Sequence, residues 1–342
     1  MPAITQAFVL GAGLGTRLRP LTEDLPKPLV PIFQKPLITI AFDHLIDLGI
    51  PKFFVNTHHR PERFAEAFVG STYRDRQIEF RHEPVLLETA GGIANIADLL
   101  SDGPLVVYNG DILTDLPIDR LIENHFRENN IVTLALRSGG GPKHVALDSR
   151  RGRIIDIRNQ LGTGAPEEFL FTGIYVVDPK FVDLLERGVK RSVIPHFLEM
   201  IRRGDKLGGV VIDDGHWWDV GNREAYLALH RELSNSQSRK SDLQIAPAVS
   251  KPPHLGSPLK FPNYPVDNHE WKVSIHPTAV VDSTAKLRGC SVVGPDCRVG
   301  AEAILTDTIL WSGAQIASGS ELVGCIVRSH QNAAGTHRNI DI

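Results

Sequence analysis

Three glycines, two arginines and a lysine fall close together near the start of the chain. Gly11-Ala12-Gly13-Leu14-Gly15-Thr16-Arg17-Leu18-Arg19-Pro20 directly follows the apolar run Ile4 to Leu10, and Lys27 stands between Pro26 and Pro28. Glycines there let backbone N–H groups approach an anion closely. The flanking prolines limit where the Lys27 ammonium can go. This is equipment for a polyphosphate: a triphosphate cradle in which Arg17 and Lys27 neutralise charge as pyrophosphate leaves. A dinucleotide fingerprint would need a third glycine where Thr16 stands, and a Walker loop would end in Gly-Lys-Ser/Thr. The chain has neither. A glycine-rich turn with surface cations is the alternative reading of the loop alone.

Two aspartates complete the set. Asp111 follows the apolar run Leu105 to Tyr108 through Asn109-Gly110, so it projects at the same sheet edge as the glycine loop. Asp219 is expected just after a strand, Leu207 to Ile212, and a His216-Trp217-Trp218 turn. Mg²⁺ takes one or two protein carboxylates and completes its octahedron with water and phosphate oxygens, a need that two aspartates from distant segments fit. Their plainer roles are an Asx turn and a helix N-cap. His58-His59 resembles a metal pair only superficially. Adjacent strand residues point to opposite faces, so a structural role is expected for both.

The elements that must position these residues alternate along residues 4–233. Candidate strands at Ile4 to Leu10, Lys52 to Asn56, Gln77 to Arg81, Leu105 to Tyr108, Ile131 to Arg137, Phe169 to Val177 and Leu207 to Ile212 are separated by helical stretches. These helices are expected at Leu37 to Leu48, Pro61 to Val69, and about 91–100, 117–128, 179–186, 194–203 and 222–233. The pattern predicts an α/β fold: a Rossmann-like, mainly parallel sheet with helices on both faces and its ligand at the carboxyl ends of the strands. Residues 1–233 form this first domain, and 234–272, rich in Pro and Ser, read as an extended linker. In residues 273–342, Ile275, Val281, Leu287, Val293, Val299, Leu305, Trp311, Ala317 and Val323 recur every sixth residue. Small residues (Ala279, Ala285, Ser291, Cys297 and Ala303) follow the first five anchors at a fixed offset. A hexapeptide period is the signature of a parallel β-helix, here a short left-handed one.

The glycine loop together with Pro26-Lys27-Pro28-Leu29 resembles the signature of the sugar-1-phosphate nucleotidyltransferases, the sugar-nucleotide pyrophosphorylases. The resemblance spans most of the chain. His82-Glu83-Pro84 followed by Glu88-Thr89-Ala90-Gly91-Gly92 resembles the segment that holds the base, and Val107 to Asp111 the strand end with the first metal carboxylate. Phe171-Thr172-Gly173-Ile174-Tyr175 is similar to the strand lining the sugar pocket, and Trp218-Asp219-Val220-Gly221 to the turn with the second carboxylate. The resemblance implies nucleotide contacts from Leu10, Gly11, Ala12, Gly13, Gly15, Thr16, Arg17, Lys27, Glu83, Thr89, Gly91, Asn109 and Gly110. It implies Mg²⁺ on Asp111 and Asp219, with Arg17, Lys27 and Asp111 catalytic. For the sugar phosphate it implies Glu168 (or its neighbour Glu167), Gly173 and, in place of a family lysine, Arg158 in Ile155-Asp156-Ile157-Arg158-Asn159. The reaction implied joins an NTP and a sugar 1-phosphate to give an NDP-sugar and pyrophosphate. The layout is most like mannose-1-phosphate guanylyltransferases, which make GDP-mannose from GTP. Uridylyl- or thymidylyltransferases acting on glucose 1-phosphate or another sugar 1-phosphate share the Leu87 to Gly92 wording, and a non-catalytic sugar-nucleotide sensor is the alternative of another class.

Composition narrows the field. Lys+Arg total 37 against 40 Asp+Glu, a net charge of -3, which excludes a globally basic nucleic-acid binder. No apolar run is long enough to span a bilayer, and MPAITQAFVL reads as a strand, so no membrane partner is expected. With only three cysteines, a reducing cytoplasm is the expected location. Only His276 lies near a regular β-helix position as a base for acyl transfer, so the repeat domain is read as a module for homo-oligomer assembly or regulation. Its removal is expected to leave a folded catalytic domain.

Overall fold

A computed structural model describes residues 4–164, 167–241 and 272–342. The chain opens with Gln6–Leu10 (β1), buried at all but its last position, as a strand covered on both faces must be. Helix Ile38–Asp47 (α1) ends at Gly49, whose φ of 78° and whose N–H bond to Ile46 stop the helix where the sequence predicts. Lys52–Thr57 (β2), Arg76–His82 (β3), Glu88–Asn95 (α2), Leu105–Asn109 (β4), Ile112–Thr114 (β5) and Asp119–Arg127 (α3) follow. Val132–Arg137 (β6), Val145–Asp148 (β7), Arg153–Ile157 (β8) and the long Glu168–Val177 (β9) build the other half of the sheet. Val193–Arg203 (α4) is capped by Ser192, whose hydroxyl accepts from Ile194 N, and closes at left-handed Gly204. Leu207–Val211 (β10), Trp217–Asp219 (β11) and Arg223–Ser241 (α5) complete the domain. Among the described residues, no helix is long and apolar enough to cross a membrane.

The main sheet runs β7-β8-β10-β6-β9-β4-β1-β2-β3, with Thr72–Tyr73 at its edge. Strands β4, β1, β2 and β3 are parallel, as the alternation predicts, and so are β10 and β6. Strand β9 is antiparallel to both β4 and β6, and β8 to both β7 and β10, so the second half of the sheet is mixed. Side-chain alternation divides the core in two. Ala7, Val9, Phe53, Val55, Val106 and Tyr108 pack with α1 and α3 on one face; Phe8, Phe54, Leu105, Val107 and Tyr175 pack with α2 and α4 on the other.

Residues 272–342 form a left-handed parallel β-helix of three stacked sheets. Its register corrects the unbroken hexad. Val281 pairs with Val299 and Leu287 with Leu305, a full hexad coil, but Val293 pairs with Leu310 and Val299 with Ile316, one residue short. The inward column therefore passes to Leu310, Ile316, Leu322 and Val327, not to Trp311, Ala317 and Val323. Trp311 is buried nonetheless, because it faces outward into the first domain. The linker boundary also shifts: Ser234–Ser241 continue α5, and 242–271 lie outside the described residues.

The β-helix is not a separable appendage. Cys290, Val292, Ile309, Trp311 and Ile326 join Leu18, Leu21, Tyr226, Leu229 and Leu233 in one hydrophobic cluster. Trp311 Nε1 donates to the Tyr226 hydroxyl at 3.0 Å, and that hydroxyl donates to Pro31 O at 2.6 Å. His230, fully buried, accepts from Phe33 N, and burial pushes its pKa down to about 4. Arg223 pairs with Asp341 at 2.6 Å. Removing residues 272–342 would bare this cluster, which argues against a folded catalytic domain without them.

Candidate active site

A cleft of about 460 Å³ opens at the carboxyl ends of β1, β2 and β4. One wall is the glycine loop: Leu10, Gly11, Ala12, Gly13, Gly15, Thr16 and Arg17 all line it. Gly15 has φ +59°, and a Cβ there would meet Thr22 at 3.0 Å, so the turn demands glycine. The opposite wall is Leu86, Glu88 and Thr89 at the start of α2, with Ser192 from the α4 cap. Glu88 has φ +60°, an uncommon conformation for a residue with a side chain. That wall is braced by the loop before α4: Ala90 N and Gly91 N donate to Arg191 O, and Val193 N donates to the Thr89 hydroxyl.

The floor carries the charge. Lys27, 8% exposed, places its ammonium 2.6 Å from Asp111 and 3.3 Å from Asp219. The two carboxylates are 35% and 41% exposed while sharing one cation; Asp111 lines the cleft and Asp219 stands at its margin, beside the lining residue Gly221. Arg17 stands at 3.9 Å from Asp219. Asp219 comes from a strand, not from a turn. Strand β11 pairs antiparallel with β5, which puts Asp219 opposite Ile112, next to Asp111. Two hard oxygen donors thus meet at one point from distant segments, a donor set suited to Mg²⁺. Among the described residues, no cluster of three metal-ligating side chains occurs.

Other expected residues fall less directly. Asn109 and Thr89 line the cleft, whereas Gly91 and Gly110 are buried behind it. Glu83 is wholly buried beneath the cleft, so it is not a direct nucleotide contact. Gly173 (φ +82°) lies in a bulge of β9 where a Cβ would collide with the Asn109 side chain, so it lets β9 close on the end of β4. Trp217 Nε1 donates to Thr172 O at 2.8 Å, tying that bulge to the strand of Asp219. Arg158, Glu167 and Glu168 are exposed at the far edge of β8 and β9 and do not line the cleft. His58 and His59 diverge as expected: His58 Nδ1 bonds Glu83 O at 2.7 Å, and His59 Nε2 bonds Thr22 O at 2.9 Å.

Sequence reasoning missed Asn56, Leu86 and Ser192 among the lining residues, and it quoted Pro28, Glu88 and Gly221 within motifs without giving them a role. A polar residue closing the apolar run Phe53-Phe54-Val55 was the available signal for Asn56. Ser192 announces itself only as a helix cap.

Comparison with known proteins agrees with this geometry. Residues 6–236 match the nucleotidyl transferase family model. The chain is 28% identical to the mannose-1-phosphate guanylyltransferase of Mycobacterium tuberculosis, over 92% of this chain and 81% of that one. It is 25% identical to the UTP–glucose-1-phosphate uridylyltransferase of Synechocystis sp., over 98% and 90%. Among solved structures, HddC from Yersinia pseudotuberculosis complexed with GMP-PN shares the fold, with a TM-score of 0.56 and 20% identity over 66% of this chain and 98% of that one.

Proposed function

Because the chain belongs to the nucleotidyl transferase family, we propose that it joins an NTP to a sugar 1-phosphate, releasing pyrophosphate, with GTP and mannose 1-phosphate as substrates and GDP-mannose as product. The observation that carries this reading is Lys27, held between Asp111 and Asp219 on the floor of a cleft walled by the glycine loop. The substrates' base choice follows the guanylyltransferase relative, which is similar along nearly the whole chain.

In this reading the cleft holds the NTP between the glycine loop and the Leu86–Thr89 wall. A phosphate oxygen of the sugar 1-phosphate attacks the α-phosphorus, a new P–O bond forms, and the bond to the leaving pyrophosphate breaks. The attacking oxygen is already anionic, so the chain needs no serine, cysteine or histidine nucleophile. Its work is to align the two substrates in line and to neutralise charge on the phosphates. Lys27 is fixed by its two carboxylate partners and so needs little reorganisation as charge moves. Arg17, more exposed, reaches the outgoing phosphates. Mg²⁺, held by Asp111 and Asp219, would supply further neutralisation of phosphate charge when bound. Asn109, backed by Gly173, forms the sugar side of the cleft, and Arg158 and Glu168 lie away from it. The enzyme works as a homo-oligomer through its β-helix and in the cytoplasm, where its soluble substrates are.

Pyrophosphate release across GTP, UTP, dTTP and ATP, each with several sugar 1-phosphates and Mg²⁺, tests this. Strongest turnover with GTP and mannose 1-phosphate is expected. Strongest turnover with UTP and glucose 1-phosphate would move the assignment to the uridylyltransferases, and a blank grid from folded protein would overturn the reaction.

A further inference from the structure

Resting on that reading, we propose that Asn56 and Glu83 form a buried relay that fixes the phosphate wall of the nucleotide cleft against its base wall, making both of them positioning residues for the nucleotide. Asn56 is the penultimate residue of β2 and is 2% exposed; Glu83 follows β3 and is fully buried. The Asn56 carboxamide oxygen accepts from Gly11 N at 2.8 Å and Ala12 N at 3.2 Å. Its amide nitrogen donates to Glu83 Oε1 at 2.7 Å. Glu83 Oε2 then accepts from Leu87 N at 2.9 Å. One continuous path of hydrogen bonds thus runs from the glycine loop to the segment carrying Leu86, Glu88 and Thr89.

The Glu83 backbone is itself held in place. Glu83 N donates to Thr57 O at 2.7 Å, and Glu83 O bonds the His58 ring at 2.7 Å. The surroundings are shaped to admit the relay. A Cβ on Gly92 would stand 3.0 Å from Asn56 Nδ2 and 3.1 Å from Glu83 Oε1, and one on Gly11 would stand 2.6 Å from Asn56 O. Among the described residues no cation pairs with Glu83, so its burial is offset by hydrogen bonds alone. Such a carboxylate punishes any change in the number of donors facing it.

The relay also divides the loop. Gly11, Ala12 and Asn56 line the cleft too, but Gly11 and Ala12 spend their N–H groups on Asn56. Gly13 and Gly15 line the cleft, and among the described residues their N–H groups have no partner in the chain. The phosphates are therefore met by the second half of the loop, in a position that the first half takes from Asn56.

The test is a polarity swap. In Asn56→Asp two carboxylates face each other; in Glu83→Gln one of two donors meets an NH₂ group. In the double variant the new carboxylate accepts from Gly11, Ala12 and the new carboxamide, whose oxygen accepts from Leu87, so every bond is restored and only the one between residues 56 and 83 exchanges its ends. With mannose 1-phosphate and Mg²⁺, each single variant should raise KM for GTP, and Kd for GTP by calorimetry, about tenfold or more. Changes in kcat and in KM for mannose 1-phosphate should stay within about threefold, and the double variant should return to within about threefold of wild type for GTP. Single variants that bind GTP like wild type, or a double variant no better than the worse single or unable to fold, would overturn the relay. Wild-type protein that binds GTP but releases no pyrophosphate would instead fault the reaction assignment, while the calorimetric comparison still decides the relay.

Discussion

The glycine-loop end of the sheet and the C-terminal β-helix solve the same problem, irregular backbone next to solvent, in different ways. In the β-helix the backbone pairs with its own copies: Val281 with Val299, Leu305 with Leu322, Ile316 with Ala333. Its small inward residues, Ala303, Thr308, Ala314, Ser320 and Cys325, are all buried. At the loop end no ladder is available beyond Leu10, and side chains supply the bonds instead. Asn56 holds Gly11 and Ala12, His59 holds Thr22, and Thr22 holds Gly15. A repeat tolerates a one-residue slip because the ladder continues around it. A loop held by single polar side chains has no such redundancy, and that is the end that binds substrate. The two meet at the Tyr226–Trp311 contact, so one region's stability depends on the other.

The largest expected effect comes from deleting residues 272–342. With the shared cluster bared, the remaining chain should aggregate or lose cooperative melting, and a truncated protein that melts like the full chain would break the comparison at once. Next, Trp311→Ala should lower stability by about 3–5 kcal/mol in urea titration while kcat of the folded enzyme stays near wild type. Lys27→Met, at the other region, should do the reverse: turnover falls by about 100-fold or more, because a preorganised cation on the reacting phosphates is gone. A variant keeping wild-type rates would reduce Lys27 to a structural cation.

A pH dependence of comparable size is carried by two buried histidines. Burial pushes His125, behind the sheet, and His230, at the junction, down to about 4. The unfolded chain protonates these rings near pH 6.5 and the folded one does not, so their contribution is whole above about 6.5 and is lost as pH falls toward 4. Each should cost about 1.4 kcal/mol per pH unit across that window. His230→Phe should flatten the slope; an unchanged slope would mean that the ring is already charged when folded.

The same contrast governs what the sequence reveals. Strands β1, β2 and β4 are legible because they are short apolar runs closed by turn residues, and Asp111 inherits its position from them. The mixed pairing of β9 is not legible: Phe169 to Val177 is apolar on both faces, and periodicity alone does not tell a parallel neighbour from an antiparallel one. The β-helix is legible as a repeat, yet Trp311 is apolar at the sixth residue and masks the slip that turns it outward. Asn56 and Glu83 carry no period at all; only the folded chain brings them together. Asp219 is legible as a residue but not as part of β11, since Trp217-Trp218 pairs with a strand a hundred residues earlier.

Whether the phosphates react at the cleft floor is decided by the pyrophosphate released by wild type and by Asp111→Asn, measured side by side with GTP, mannose 1-phosphate and Mg²⁺. A working wild type is expected, with a variant slowed by about 3 kcal/mol or more in transition-state terms and its fold intact. Near-normal turnover in the variant would contradict it, because the cleft floor would then not be where the phosphates react.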